Sequence, residues 1–329
     1  MSSSPTTPLL EVDLRPGKPP IVEAGVTSDA PTWAADHRDG LRDVVAEHGS
    51  VVVRGLGLDN AATVAAVFRR LSTELMTERE AFAPRQAYSD GVYSSATWPA
   101  NQPMCMHHEL SYTLDVPSMM LFACLTPPTA GGATAVADSQ SVLDALPSEL
   151  IEQFLRHGWM LTRSFNNEIG ASVAEAFGTD VPDAVAGYCQ ANAIDFEWQP
   201  DGDLRTQQRR SAVVRHPDTG ARCWFNQVAF LNKWTIDPEV REYMIDMYGH
   251  EGLPFDTRFG NGDPISEDVV ALLNQVYEQH TVREPWQAGD LMLVDNIRTA
   301  HSREAFEGPR EVLVGMADPV RISEVEVTF

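Results

Sequence analysis

His107-His108-Glu109, read together with Asp295-Asn296-Ile297-Arg298-Thr299-Ala300-His301, is the stretch on which the fold turns. Side chains two apart on a strand project from one face, whereas neighbours on a helical face are three or four apart. The spacing of His107 and Glu109 therefore predicts a β scaffold, with both side chains able to reach one metal ion and His108 turned the other way. A His-x-Glu pair alone is a weak pattern. His301 strengthens it, because it follows the strand-and-turn pattern Gly289-Asp290-Leu291-Met292-Leu293-Val294-Asp295-Asn296. Two imidazoles and one carboxylate form the facial triad of non-haem Fe(II) oxygenases, which leaves three positions of an octahedral ion open. His37, His48, His157, His216, His250 and His280 stand in polar or helix-end contexts and are not expected as ligands.

Outward from this stretch, short apolar runs alternate with turn signals. Ser118-Met119-Met120-Leu121-Phe122-Ala123-Cys124-Leu125 predicts a buried strand, closed by Pro127-Pro128 and the Gly131-Gly132 turn. Before it, Trp33 to His48 predicts an amphipathic helix, Val51-Val52-Val53-Arg54-Gly55 a strand, and Asn60 to Leu75 a second helix with Asn60 as its N-cap. After it, residues 139 to about 205 are expected to be mostly helical, with starts near Ser139 and Pro147. Short strands are expected at Ser211–Val214 and Arg222–Phe225, and helices at Pro238–Tyr248 and Ser266–Gln279. Strands at Val282–Trp286, Leu291–Val294, Glu311–Met316 and Glu324–Val327 complete the chain. The expected organisation is a weakly ordered lead-in over residues 1–31 and one domain over 32–329. That domain is mainly β, a barrel-like core interrupted by a largely helical insertion at about 139–280.

Composition narrows the function classes. The 329 residues are 43% hydrophobic and 22% charged, which is globular usage. Formal charge is −23, and such a surface repels nucleic acid and anionic membranes at long range, so neither is an expected partner. No apolar run approaches the roughly 20 residues of a membrane span, and the amino terminus lacks a secretory pattern. The four cysteines show no paired spacing and read as reduced core thiols, so the expected compartment is the cytoplasm.

Arg310 opens the expected strand Glu311–Met316, next to the one carrying His301. A guanidinium buried there needs a partner, because an unpaired buried cation is costly. Two readings stay open: a bidentate hold on a carboxylate ligand, or a structural pair with an acidic neighbour such as Glu307.

Several stretches together resemble the Fe(II)/2-oxoglutarate-dependent taurine dioxygenase (TauD/TfdA) family, nearest its clavaminate synthase-like and SyrP-like branch. They are Val92 to Gln102, His107-His108-Glu109-Leu110-Ser111-Tyr112, and Pro127 through Gly131-Gly132-Ala133-Thr134 to Asp138. Further along come Trp224-Phe225-Asn226-Gln227, Gly289-Asp290 to Asn296, and His301-Ser302-Arg303 through Phe306, Gly308 and Arg310. The resemblance implies a double-stranded β-helix (jelly-roll, cupin-like) core. It implies His107, Glu109 and His301 as iron ligands, and Thr134 and Arg310 as residues holding 2-oxoglutarate. It also implies O₂ as second cosubstrate, with release of succinate and CO₂. The carboxylate at Glu109, which halogenases of this kind replace by a small residue, points to hydroxylation; desaturation and epoxidation use the same oxidant.

Three departures from the branch pattern bear on the substrate. His108 stands where Asn is usual, Ser302 where Gly is usual, and the His common after Trp-Phe-Asn-Gln is missing, the chain continuing Val228-Ala229-Phe230-Leu231-Asn232. Gln102 and Asn226 are substrate-contact candidates by motif position. The implied substrate is an amino acid or a related intermediate of specialised metabolism, such as antibiotic biosynthesis, free or tethered to a carrier protein. Carrier proteins are themselves acidic, so the −23 charge favours a small free molecule. Two rivals remain: a metal-binding cupin-like sensor without turnover, and a zinc hydrolase using the same donors.

Overall fold

The strand Asp115–Thr126 is buried on both faces, which is why its sequence reads as one apolar run. Met120, Phe122 and Cys124 point into one hydrophobic cluster, while Met119, Leu121 and Ala123 point into another on the opposite side. A computed structural model describes residues 10–25, 29–166 and 168–322. In it this strand runs through an eight-stranded major sheet. The order is Val12–Asp13, Ile21–Glu23, Ser50–Arg54, Leu291–Asp295, Asp115–Thr126, Glu311–Arg321, Val92–Ser94 and Ala87–Ser89. A minor sheet, ordered Thr281–Val282, Thr134–Asp138, Thr299–Arg303 and Met104–His107, packs over its inner face through Met104, Met106, Val136 and Ala300. The two sheets form the double-stranded β-helix core, and the protein is mainly β with helical insertions.

Helices Ala30–His48 and Ala61–Leu71 cover the outer face of the major sheet. Leu41, Val45, Val64 and Phe68 bury there, each contributing on the order of 1.5–3 kcal/mol. Asn60 caps the second helix by accepting from Thr63 N at 2.9 Å.

The lead-in expected over residues 1–31 falls partly outside the described residues. Its described part adds the strands Val12–Asp13 and Ile21–Glu23 to the edge of the major sheet, with Ile21 and Val22 buried. The expected strand Glu324–Val327 lies outside the described residues, and the one expected over Val282–Trp286 stops at Val282. Pro285, which has no N–H to donate, follows closely.

The insertion also differs. Among the described residues, 139–280 carry six α-helices, including Pro238–Tyr248 as expected, but also a four-stranded sheet ordered Asp195–Trp198, Leu204–Arg210, Trp159–Phe165 and Asp256–Phe259. The buried face of Leu204–Arg210 holds Thr206, Gln208 and Arg210, so its alternation is polar and reads as surface. Gln208 Nε2 donates to Glu80 Oε2 and to Tyr112 O, both at 2.7 Å, tying the insertion to the core beside the metal-binding segment.

A further correction concerns Arg310. It precedes a strand of the major sheet, whereas His301 lies on the minor sheet. The two are not strand neighbours, and Arg310 reaches the His301 side across the barrel interior.

Candidate metal centre

The strands Met104–His107 and Thr299–Arg303 pair antiparallel, with His107 and His301 as register partners. Directly opposed residues bring their side chains together, and the two imidazole centroids are 4.4 Å apart. Glu109 lies just past the end of its strand, followed by Leu110 in the left-handed region at φ +53°. The pair thus straddles a strand end, yet the carboxylate still meets the imidazoles. Glu109 Oε2 is 3.6 Å from His301 Nε2 and 3.9 Å from His107 Nε2. One donor atom from each of the three residues lies within 4.8 Å of the others, and all three side chains are buried.

Neighbouring groups set the donors. His107 Nδ1–H donates to Cys105 O at 2.8 Å, which leaves the Nε2 lone pair facing Glu109. Burial, reinforced by the nearby His301, pushes the His107 imidazolium pKa down to about 3, so the ring is neutral as a metal ligand must be. Burial opposes the charge on Glu109. Arg85 above all, with the imidazoles, outweighs it and holds the carboxyl well below its usual range. Asn296 fixes the backbone beneath: its Oδ1 accepts from Glu109 N at 2.8 Å, and its Nδ2 donates to Glu109 O at 3.0 Å and Pro117 O at 2.8 Å. His108 turns away, as expected, and its Nδ1–H donates to Asn296 O.

The three donors border one cavity with Arg85, Ser95, Thr134, Arg303 and Arg310. Thr134 sits opposite Arg303 in the register of the minor sheet. Arg310 Nε donates to Gly132 O at 3.0 Å, and its Nη1 to Ser95 Oγ at 3.2 Å. Gly132 must lack a side chain: at φ +71°, a Cβ would lie 2.9 Å from Phe306 Cβ and 3.3 Å from Arg310 Cδ. The structural pair with Glu307 is absent, and among the described residues Arg310 has no carboxylate partner. Burial, then repulsion from Arg303, lowers its pKa to about 10. A cation left in that state is poised for an anion.

An aromatic wall closes the other side. Phe230 stacks on His107 with centroids 4.6 Å apart, and Phe82 and Trp98 pack against Phe230 at 5.1 and 5.6 Å.

The two substrate candidates are not brought into the cavity. Asn226 is buried behind the His107 strand, its Nδ2 donating to Ala212 O and its Oδ1 accepting from Val228 N, so both amide atoms are used in folding. Gln102 contributes its backbone carbonyl, which accepts from Arg303 Nη2 at 2.6 Å, and its side chain does not line the cavity. Two site residues escaped the sequence. Asn296 could have been found, as a polar residue following a buried strand just before the distal His. Arg85 carried no pattern of its own and is placed only by the tertiary fold.

Known proteins resemble this chain in sequence and in fold. The family model described as taurine catabolism dioxygenase TauD, TfdA family matches residues 13–317. A dapdiamide synthesis protein, DdaC, of Enterobacter agglomerans is 33% identical over 300 residues, covering 91% of each chain. A clavaminate synthase-like protein of Arabidopsis thaliana is 25% identical over 290 residues, covering 84% of this chain and 83% of its own. Among solved structures, PvcB of Pseudomonas aeruginosa superposes with a TM-score of 0.56 at 16% identity over 99% of both chains, a likeness of fold. PvcB is described as an Fe, alpha-ketoglutarate dependent oxygenase from an isonitrile synthetic pathway.

Proposed function

We propose, from the premise that this chain belongs to the TauD, TfdA family of dioxygenases, that it is an Fe(II)- and 2-oxoglutarate-dependent oxygenase hydroxylating an unactivated C–H bond of a small molecule. The observation that carries this reading is one cavity holding a buried His-Glu-His donor set and, across it, an arginine that has no carboxylate partner among the described residues. The donor set fits the ion: two neutral imidazoles and one carboxylate suit Fe(II), and three positions remain for cosubstrate and O₂. His107, Glu109 and His301 would hold the metal. Arg310, with Thr134, would hold the distal carboxylate of 2-oxoglutarate. When bound, iron would let O₂ act as the oxidant, with 2-oxoglutarate giving up two electrons as it becomes succinate and CO₂ and the substrate C–H bond giving the other two. The protein's part is placement: Asn296 fixes the Glu109 backbone, Cys105 O sets the His107 tautomer, and Phe82, Trp98 and Phe230 keep water from the His107 side.

Charge supports the substrate class. Ferrous ion, Glu109, dianionic 2-oxoglutarate and Arg310 sum to neutrality, and Arg85 with Glu78 forms a neutral pair. Arg303, held only by the carbonyls of Trp98, Pro99 and Gln102 among the described residues, leaves one positive charge. A carboxylate on the substrate would balance it. An amino acid or a related intermediate of specialised metabolism offers Arg303 such a carboxylate, with any ammonium group left to be met elsewhere, a setting consistent with a dapdiamide synthesis protein among the relatives. The chain's formal charge of −23 favours a free molecule over one tethered to an acidic carrier.

The experiment is anaerobic addition of Fe(II) and 2-oxoglutarate to metal-free protein, then O₂ with a panel of free and carrier-bound amino acids. A weak visible charge-transfer band followed by substrate-dependent succinate release is expected. Turnover that needs neither O₂ nor 2-oxoglutarate would instead establish a hydrolase, and metal binding without any turnover a sensor.

A further inference from the structure

In sequence Arg85 lies between the helix Ala61–Leu71 and the edge strand Ala87–Ser89, and its side chain is only 5% exposed. Its guanidinium lies between two carboxylates: Nη2 donates to Glu109 Oε1 at 2.8 Å, and Nε is 3.0 Å from Glu78 Oε1. The other oxygen of Glu109 is the one that faces both imidazoles. Each oxygen of this carboxylate therefore has a different neighbour.

We propose that Arg85 is a positioning residue that divides the two oxygens of Glu109, reserving Oε1 for itself and offering Oε2 alone to the metal. The inference rests on the metal reading above and deepens it. Carboxylates bind cations through one oxygen or through both. If Glu109 gave both, it and the two histidines would fill four of six positions. Only two positions would then remain where 2-oxoglutarate and O₂ together need three, so a second Glu109 oxygen would compete with the chelating pair of 2-oxoglutarate as well as with O₂. A charge-assisted hydrogen bond to Oε1 opposes that second contact and fixes the orientation of the carboxylate plane. Glu78 completes the device. When the metal draws on the charge of Glu109, Glu78 still neutralises the buried guanidinium, so Arg85 has no electrostatic reason to leave.

The test uses Arg85→Met and the double variant Glu78→Gln/Arg85→Met, in which Glu78 is not left as a buried carboxylate without its cation. Purified metal-free proteins are titrated with Co(II), then with 2-oxoglutarate under anaerobic Fe(II). Both variants are expected to bind Co(II) at least as tightly as the parent, because a neighbouring cation is gone and a second oxygen is free. Their 2-oxoglutarate affinity is expected to fall at least tenfold, with the charge-transfer band diminished in step. Unchanged 2-oxoglutarate affinity and band in a folded, metal-loaded variant would overturn the proposal while leaving the metal reading intact. A parent protein that binds no Co(II) would defeat both. A second measurement needs no variant: the metal-loaded minus metal-free infrared difference of the parent. A wide splitting of the Glu109 carboxylate stretches, the mark of one-oxygen ligation, is expected and should narrow in Arg85→Met. A narrow, chelate-type splitting in the parent would refute the role given to Arg85.

Discussion

His107 and His301 face each other across one hydrogen-bonded register, so a single ladder places two donors that are remote in sequence. His108, between the two expected ligands, instead donates to Asn296 O on the far side of the strand. Replacing His301 by Ala should therefore weaken Co(II) or Fe(II) binding by more than the ~10–100-fold typical of outer-shell changes. His108→Asn should leave metal affinity within about threefold of the parent. Calorimetric titration of both variants, with circular dichroism to confirm folding, distinguishes them; a larger loss in His108→Asn would mean that the wrong histidine has been assigned.

Asn296 spends its whole amide on backbone, bridging Glu109 N, Glu109 O and Pro117 O. Because it leads into the His301 strand, it locks both halves of the donor set in one geometry. Asn296→Ala strands buried backbone groups at a cost of about 1–3 kcal/mol each, and it loosens the carboxylate ligand. Metal affinity should fall by about 10–100-fold, together with a lowered urea midpoint. A loss of stability with intact metal affinity would reduce Asn296 to a purely structural residue.

Arg310 separates cosubstrate binding from folding. Among the described residues it carries a partly buried charge with only Gly132 O and Ser95 Oγ as hydrogen-bond partners, so its removal relieves desolvation in the free protein. Arg310→Met should leave thermal stability unchanged or higher. It should also raise KM for 2-oxoglutarate at least tenfold, the loss of a charged hydrogen bond worth about 1.5–3 kcal/mol. Metal affinity should not move. An unchanged KM would transfer the carboxylate-holding role to Arg303, which borders the same cavity.

The chemistry-bearing strands were legible in the sequence because their signals are local: a two-residue spacing at His107 and Glu109, an apolar run at 118–125, and a strand and turn before His301. What the sequence hid depends on partners far along the chain. Leu204–Arg210 pairs in a sheet whose buried face is polar, so no hydrophobic period marks it. Arg310 leads into a strand of the major sheet while His301 lies on the minor one, although both belong to segments expected as neighbouring strands. Asn226 lies within a motif shared with the family, yet its amide is consumed by Ala212 O and Val228 N. Motif position places a residue near a site; only packing decides which way it faces.

Arg303 is a clamp whose loss should be felt in folding first. It donates to the carbonyls of Trp98, Pro99 and Gln102, holding the loop whose Trp98 packs against Phe230 beside His107. Arg303→Met should cost about 2–4 kcal/mol, since buried carbonyls lose charged donors. Faster amide exchange over residues 98–102 should accompany the loss. Unaltered exchange in that loop would show that the carbonyl contacts do not hold it.

Asp290 gives a pH dependence with a definite sign. Burial raises its carboxyl pKa from 3.8 to about 6, against the opposing pull of Gln287 N and Arg54. A folded-state pKa above the unfolded value means the native protein binds the proton more tightly. The charged form is thus penalised above pH 6, and the penalty fades as pH falls from about 6 toward 4. Asp290→Asn removes this dependence, since an amide oxygen can still accept from Gln287 N, and Arg54 keeps Glu284 at 2.9 Å. The difference in unfolding free energy, variant minus parent, should therefore rise between pH 4.5 and 7.5, by at most about 3 kcal/mol for a shift of roughly two pKa units. The slope is the observable, because the weakened Arg54 contact adds an offset that does not vary with pH in this range. Urea midpoints that stay parallel across it would place the Asp290 carboxyl at its ordinary pKa.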